Sequence, residues 1–462
     1  MTAVSTKQGR STDHARAEAE FLAALQAGTA CGKGWAMSVL EMARDLSVDL
    51  SRIKRDVLEL ASIGRSEEDR GIYRMAFTDA DMEGKRWLLD RIDEAGLQSA
   101  SDGAANIFGK VVPADAGAAE RPSVLMGSHI DTVPCAGALD GSLGVVVALE
   151  CLRTIRQSGA AEELGAPLEL VAFSDEEGRF GGMFGSQAFC GLITPDSFHH
   201  KDLDGIELGD AMLRQGLDPV RALDAARPRE SVEAYLELHI EQGPVLDRAK
   251  LQVGIVENIT GLFKWQVRFL GEANHAGTTP MEMRNDAFMG LADFAHELPR
   301  ILEENGSERS RATIGKAQIL PGSPNTVPGL VEFSLDVRDT AAAVLKELDL
   351  ACQKALGAIA RRRGLRYEFV QLSLIDPVDC DPAVVDALVE GARELDLKTL
   401  RMPSGAAHDA QILAGLTRMG MLFTPSRGGK SHTPEEWTAW EDIEAAANLS
   451  LRTLLRLAGT KT

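Results

Sequence analysis

From about Leu50 onward, uninterrupted apolar runs alternate with segments whose apolar residues recur every three or four positions. The runs Ser123 to Ser128, Leu168 to Phe173 and Ala234 to Leu238 read as buried strands, and Leu143 to Arg156 as an amphipathic helix. That alternation predicts an α/β fold with a mixed central sheet and helices on both faces. Between Ile259 and Ser373 the order changes to strand Phe263 to Leu270, helix Asp286 to Glu303, strand Ala312 to Leu320, strand Leu330 to Val337, helix Ala341 to Arg363 and strand Tyr367 to Leu372. This is the β-α-β-β-α-β order of a ferredoxin-like α+β unit. After Pro377 come a helix at Pro382 to Leu395, a strand near Met419 to Phe423 and a closing helix from Trp440, so the smaller unit is expected as an insertion in the larger. The division expected is a helical arm at 1–50, a larger α/β domain in two pieces at 51–258 and 374–462, and the inserted unit at 259–373. Within the arm, helical stretches at Ala15 to Leu25 and Trp35 to Leu46 flank the segment Gly28 to Gly34.

The 462 residues carry 49 Lys and Arg against 69 Asp and Glu, a net charge of −20. Such a surplus repels phosphate backbones and anionic membranes, which disfavours nucleic-acid wrapping and polybasic membrane docking. Met1 to Arg10 lacks the apolar stretch of a signal peptide, and the longest apolar run, near Leu143 to Cys151, is too short to span a bilayer, so the expected compartment is the cytoplasm. Six cysteines without CxxC spacing predict reduced thiols rather than a disulfide frame or zinc ribbon. Cys135 is expected to be a buried or lining thiol.

Candidate chemistry gathers where strands end. Gly127-Ser128-His129-Ile130-Asp131 follows an apolar strand, and the carboxyl ends of strands are where an open α/β sheet forms its ligand crevice. Asp131, two residues on in extended chain, is expected to accept the spare ring N–H of His129. Asp140, in Ala138-Leu139-Asp140-Gly141-Ser142, is either a helix N-cap or a carboxylate able to bridge two cations. In Ser174-Asp175-Glu176-Glu177 the side chains alternate, so Glu176 and Glu177 divide into base and ligand. His239, in Glu237-Leu238-His239-Ile240-Glu241-Gln242, and His432, in Ser431-His432-Thr433-Pro434-Glu435-Glu436, complete three histidines and two or three carboxylates, enough for two ions sharing one bridge.

Seven strings in this order, GSHIDTVP, ALDGSLG, FSDEEGRF, LHIEQGPVL, NHAGTTPM, SGAAHDAQ and SHTPEE, resemble the hydantoinase/carbamoylase family of two-metal amidohydrolases, relatives of the aminoacylase and carboxypeptidase-type metallopeptidases. The resemblance runs from about Leu50 to the C-terminus. It implies one metal on His129, Asp140 and His239, a second on Asp140, Glu177 and His432, and Glu176 as general base and acid. Zinc, manganese, cobalt and nickel all suit such ligands. It further implies that His275, in Asn274-His275-Ala276-Gly277, donates to the oxyanion from a lid that reaches the partner subunit's site. The inserted unit is then a lid and dimerisation domain of a homodimer. Asn325 and Arg338 would grip the substrate carboxylate and Gln242 would line the pocket; on residues alone, Arg338 reads as a surface ion pair with Asp336 or Asp339. His408 is expected either to support a ligand from behind or to be structural, and Arg284 to be structural.

The implied activity is hydrolysis of the carbamoyl (ureido) C–N bond of a small acid such as an N-carbamoyl-L-amino acid. Allantoate hydrolysis, N-acyl or peptide cleavage and noncatalytic metal-dependent binding are the alternatives. Cys135-Ala136-Gly137 and Gly405-Ala406-Ala407 depart from glycine-rich family segments and leave the substrate open.

Overall fold

The computed structural model describes residues 46–115 and 117–459. The arm's two predicted helical stretches lie outside them, apart from Leu46. The larger sheet has nine strands, in the order Gln98–Ser101, Ile107–Val111, Leu168–Phe173, Ser123–His129, Val232–Ile240, Arg418–Thr424, Val253–Ile259 and Val378–Asp379, with Thr399–Ser404 also pairing Val253–Ile259. Its four central strands, from Leu168–Phe173 to Arg418–Thr424, run parallel. Parallel strands must be covered on both faces, which explains why Ser123–His129 and Leu168–Phe173 are buried throughout. The helix Ser142–Ser158 is buried from Ser142 to Ile155, as suits a central helix with apolar residues nearly all round.

Chain direction places the site. Parallel strands end on one side of the sheet, and His129 pairs in register with Phe173, and His239 with Phe423. His129, the 174–177 turn, His239 and the loop after Thr424 therefore emerge along one edge.

The chain leaves this sheet after Ile259 and rejoins it at Val378. In between it forms a second, antiparallel sheet in the order Ala317–Leu320, Leu330–Asp339, Gly261–Leu270, Arg366–Ile375, with Arg311–Thr313 also on Leu330–Asp339. The predicted strand Ala312 to Leu320 is thus split in two, broken around Gly315. Helices Ala287–Asn305 and Ala342–Arg363 pack on one face around Trp265, Phe269, Phe294 and Phe333. The other face, carrying Leu262, Lys264, Arg338, Ser373 and Ile375, walls a cleft of ≈ 880 Å³ against the larger sheet's strand ends.

Buried Arg74 ties the two nearest segments of that edge together. Its guanidinium donates to the carbonyls of Ile130 (2.7 Å), Leu60 (2.7 Å) and Ile63 (3.0 Å) and to Ser142 Oγ (3.0 Å). One side chain thereby satisfies the end of helix Leu50–Ser62 and holds the strand end after His129 against the helix start after Asp140.

Candidate metal centre

Three imidazoles and two carboxylates converge at the strand ends. His239 Nε2 lies 3.1 Å and His129 Nε2 3.8 Å from Asp140 Oδ1, while His432 Nε2 lies 3.3 Å from Asp140 Oδ2 and 3.4 Å from Glu177 Oε2. Two clusters of potential ligand atoms result, His129/Asp140/His239 and Asp140/Glu177/His432, and Asp140 belongs to both. Asp140 does not cap its helix: Gly141 occupies the N-cap position, and no side chain bonds there. The Asp140 carboxylate also accepts from Gln242 Nε2 (2.8 Å) and Ser431 Oγ (2.6 Å).

The tautomers suit ligation. His129 Nδ1 faces the carbonyl of Asp131 at 3.0 Å and His239 Nδ1 that of Ile240 at 2.9 Å, which assigns the protons to Nδ1 and turns both Nε2 lone pairs toward Asp140, that of His239 also accepting the Gly141 N–H at 3.3 Å. This corrects the expected role of Asp131. The strand stops at His129, so alternation no longer holds two residues on, and the backbone carbonyl instead of the carboxylate meets the ring. The Asp131 carboxylate, 3.8 Å from His129 Nδ1, accepts the N–H groups of Glu176 (3.3 Å) and Glu177 (3.2 Å) and so holds the acidic turn.

A third potential cluster, Glu237/His239/His408, is already satisfied by protein groups. Ser404 Oγ bonds His408 Nε2 at 2.8 Å, and Glu237 accepts from Ser128 Oγ (2.7 Å) and the Ala410 N–H (2.9 Å). The His408 ring packs edge-on against His239 at 4.5 Å and so fixes its plane.

The electrostatics call for cations. Burial, then the charges of Glu177 and Asp409, holds Glu176 well above the usual carboxylate range, and burial with Asp140 does the same to Glu177. His239 sits at about 9, burial lowering it and the Asp140 carboxylate prevailing, whereas burial brings His129 to about 4. Glu177 Oε1 is buried with no hydrogen-bond partner. A largely buried site with competing carboxylates, an orphaned oxygen and imidazole nitrogens turned inward fits divalent ions of intermediate softness. Glu176 Oε2 stands 3.5 Å from His129 Nε2, beside both clusters.

Glu436 escaped the sequence reading. Its buried carboxylate accepts the N–H groups of Leu139 (2.7 Å) and Asp140 (3.0 Å) and the Ser431 hydroxyl (3.2 Å), fixing the Asp140 backbone. The signal was present in the acid pair that follows His432. Gln242, His432, Asp175 and Cys135 all take positive φ without being glycine, so the loops carrying the site are held in uncommon conformations by their surroundings.

Gly141 is irreplaceable for two reasons: its φ is +61°, and an added Cβ would lie 2.3 Å from the His129 ring. Gly141→Ala is expected to displace His129 and weaken metal binding at least about tenfold, with the fold retained. Calorimetric metal titration alongside circular dichroism checks this.

The substrate-side residues are divided. Arg338 lines the cleft, with Nε and Nη2 on Asp336 at 2.9 and 3.2 Å and Nη1 on the Gly405 carbonyl at 2.7 Å. It is therefore both the ion pair weighed from sequence and a strut between the two sheets. Gln242 and Ala407 also line the cleft. His275 and Asn325 do not; they sit together on the ribbon where Asn274–His275 pairs Thr326–Val327, exposed to solvent. His275 Nδ1 accepts from the N–H groups of Gly277 (3.1 Å) and Thr278 (3.2 Å), which assigns its proton to an outward Nε2. Arg284 bonds the Thr279 carbonyl at 3.0 Å and braces this loop.

Residues 125–456 match the model of peptidase family M20/M25/M40. An N-carbamoyl-L-amino acid amidohydrolase of Geobacillus stearothermophilus is 37% identical over 410 residues, covering 88% of this chain and 98% of the relative. An allantoate amidohydrolase of Bacillus subtilis is 34% identical over 406 residues, 86% and 95% of the two chains. A hydantoinase/carbamoylase family amidase from Burkholderia multivorans, solved by crystallography, superposes with a TM-score of 0.82 at 34% identity, covering 90% of this chain and all of that one (100%). With its central sheet, inserted antiparallel unit and histidine-carboxylate cluster, the chain belongs to peptidase family M20/M25/M40 and, within it, to the hydantoinase/carbamoylase amidases.

Proposed function

We propose that the protein hydrolyses the carbamoyl C–N bond of an N-carbamoyl-L-amino acid or a related ureido acid. The observation that carries this is the convergence of His129, His239, His432 and Glu177 on Asp140 with Glu176 alongside. His129, Asp140 and His239 would hold one divalent ion and Asp140, Glu177 and His432 the other; zinc, manganese, cobalt and nickel all suit these donors. Held there, divalent ions would acidify water and offset negative charge on the reacting carbonyl oxygen.

Glu176 receives the proton of the attacking water and returns it to the leaving nitrogen. Its raised proton affinity suits that shuttle. Arg338 and Asn325 grip the substrate carboxylate, and His275 donates from Nε2 to the oxyanion. Because His275 and Asn325 stand outside their own chain's cleft, we assign them to a partner's site, with the 259–373 unit serving as lid and dimerisation domain of a homodimer. For an N-carbamoyl amino acid and one water, the products are the amino acid, carbon dioxide and ammonia. Cytoplasm is the proposed compartment.

Allantoate is the second reading, favoured by the amidohydrolase relative of that name. The test is release of ammonia and free amino acid from N-carbamoyl-L-amino acids, β-ureidopropionate, allantoate and N-acetyl amino acids. Turnover is expected with ureido compounds; cleavage of the N-acetyl compounds alone would contradict the proposal.

A further inference from the structure

The open face of the inserted sheet carries more positive charge than one substrate carboxylate needs. Where Leu330–Asp339 pairs Arg311–Thr313, Arg338 stands directly opposite Arg311, so both side chains leave on the same face. On the other flank Lys264 stands opposite Asp336, with Nζ 3.7 Å from Asp336 Oδ2. Asp336 is thus shared between Lys264 and the Arg338 fork. Among the described residues, Arg311 donates only to the carbonyls of Glu308 (3.0 Å) and Ser310 (2.8 Å). Among the described residues, neither Arg311 nor Arg309 has a carboxylate within ion-pair distance. Like charges directly opposite on neighbouring strands are destabilising, yet among the described residues only Arg338 of this pair has an acidic partner, Asp336, in a chain of net charge −20.

The arginines face a second cavity, of ≈ 580 Å³. Arg309, Arg311 and Arg338 line it together with apolar Met402, Pro403 and Phe423. Arg338, Gln242 and Ala406 line both this cavity and the metal cleft, so the two adjoin through Arg338. Glu241, the acid on its wall, has its carboxylate engaged by the N–H groups of Val245 (2.7 Å) and Leu246 (2.8 Å).

We infer that this cavity is a second anion subsite, which receives a carboxylate carried on the substrate's side chain. The inference rests on the proposed ureido hydrolysis and narrows its substrate to the N-carbamoyl derivative of an acidic amino acid. With the ureido group at Asp140 and Glu176 and the α-carboxylate on Arg338, the side chain extends past Arg338; its methylenes meet the apolar wall and its carboxylate the planar forks of Arg311 and Arg309.

The test compares kcat/KM for N-carbamoyl-L-glutamate and for its neutral near-isostere N-carbamoyl-L-glutamine. The wild type is expected to favour the acid by at least about tenfold. Arg311→Met and, separately, Arg309→Met are expected to erode that preference through KM, raising it far more for the acid than for the neutral substrate. Equal kcat/KM for the two in the wild type, or equal loss of both in the variants, overturns the subsite and leaves ureido hydrolysis standing. Stimulation of the neutral substrate by free acetate, lost in Arg311→Met, would assign the cavity to a free anion and overturn the substrate assignment. If no ureido acid is turned over, the proposed function fails instead. Calorimetry with glutarate against butyrate then decides the subsite alone: tighter glutarate binding that depends on Arg311 supports it, and equal binding overturns it.

Discussion

Glu176→Gln is expected to lower kcat by about 10²–10⁴-fold, the range general acid-base catalysis contributes, while both metals stay bound. The amide keeps the side chain's length and its place 3.5 Å from His129 Nε2, but it can neither take a proton from water nor return one to nitrogen. KM should change little, since Glu176 is not among the residues assigned to the substrate carboxylate. Steady-state kinetics paired with metal analysis separates the outcomes. Lost activity with lost metal would move Glu176 into the ligand set, and retained activity would remove it from the mechanism.

Asp140→Asn should act through metal binding. Asp140 is the one carboxylate common to both ligand clusters, and despite burial its bonds to His239 and His432 hold its carboxyl well below the usual carboxylate range. The amide preserves the shape of the site, and Glu436 keeps the backbone in place through its bonds to Leu139 and Asp140. What is lost is the negative charge that the two candidate ligand clusters share. Affinity for both ions is expected to fall by more than the 10- to 100-fold typical of changes to residues that only support ligands, and turnover should fall to background. Calorimetry on chelator-stripped protein would show it; loss of one ion with the other retained would mean that Asp140 does not bridge.

Much of this centre was legible because His129 and His239 lie at the ends of apolar strands and Glu177 just beyond one. The strand Leu168–Phe173 leads straight into Glu176 and Glu177, and the parallel pairing of Ser123–His129, Val232–Ile240 and Arg418–Thr424 brings the rest to the same edge. The inserted unit was legible from its changed order of elements, and its sheet has the interleaving such a unit requires. Sequence pattern failed where the chain stops being regular. Asp131 follows a strand that ends at His129, so periodicity said nothing valid about its direction. Arg74 and Glu436 are long side chains whose farthest partners lie 68 and 297 residues away, and separation along the chain hides such contacts. The Arg311–Arg338 pairing depends on register between two strands, one of them only three residues long.

Two ions held by Asp140 and its neighbours would together support ureido hydrolysis. The most direct measurement is ammonia release from an N-carbamoyl-L-amino acid as zinc, manganese, cobalt or nickel is titrated onto chelator-stripped protein. Activity that rises from background and levels at two ions per chain is the predicted result. Full activity without metal, or a plateau at one ion with no gain from a second, would contradict it.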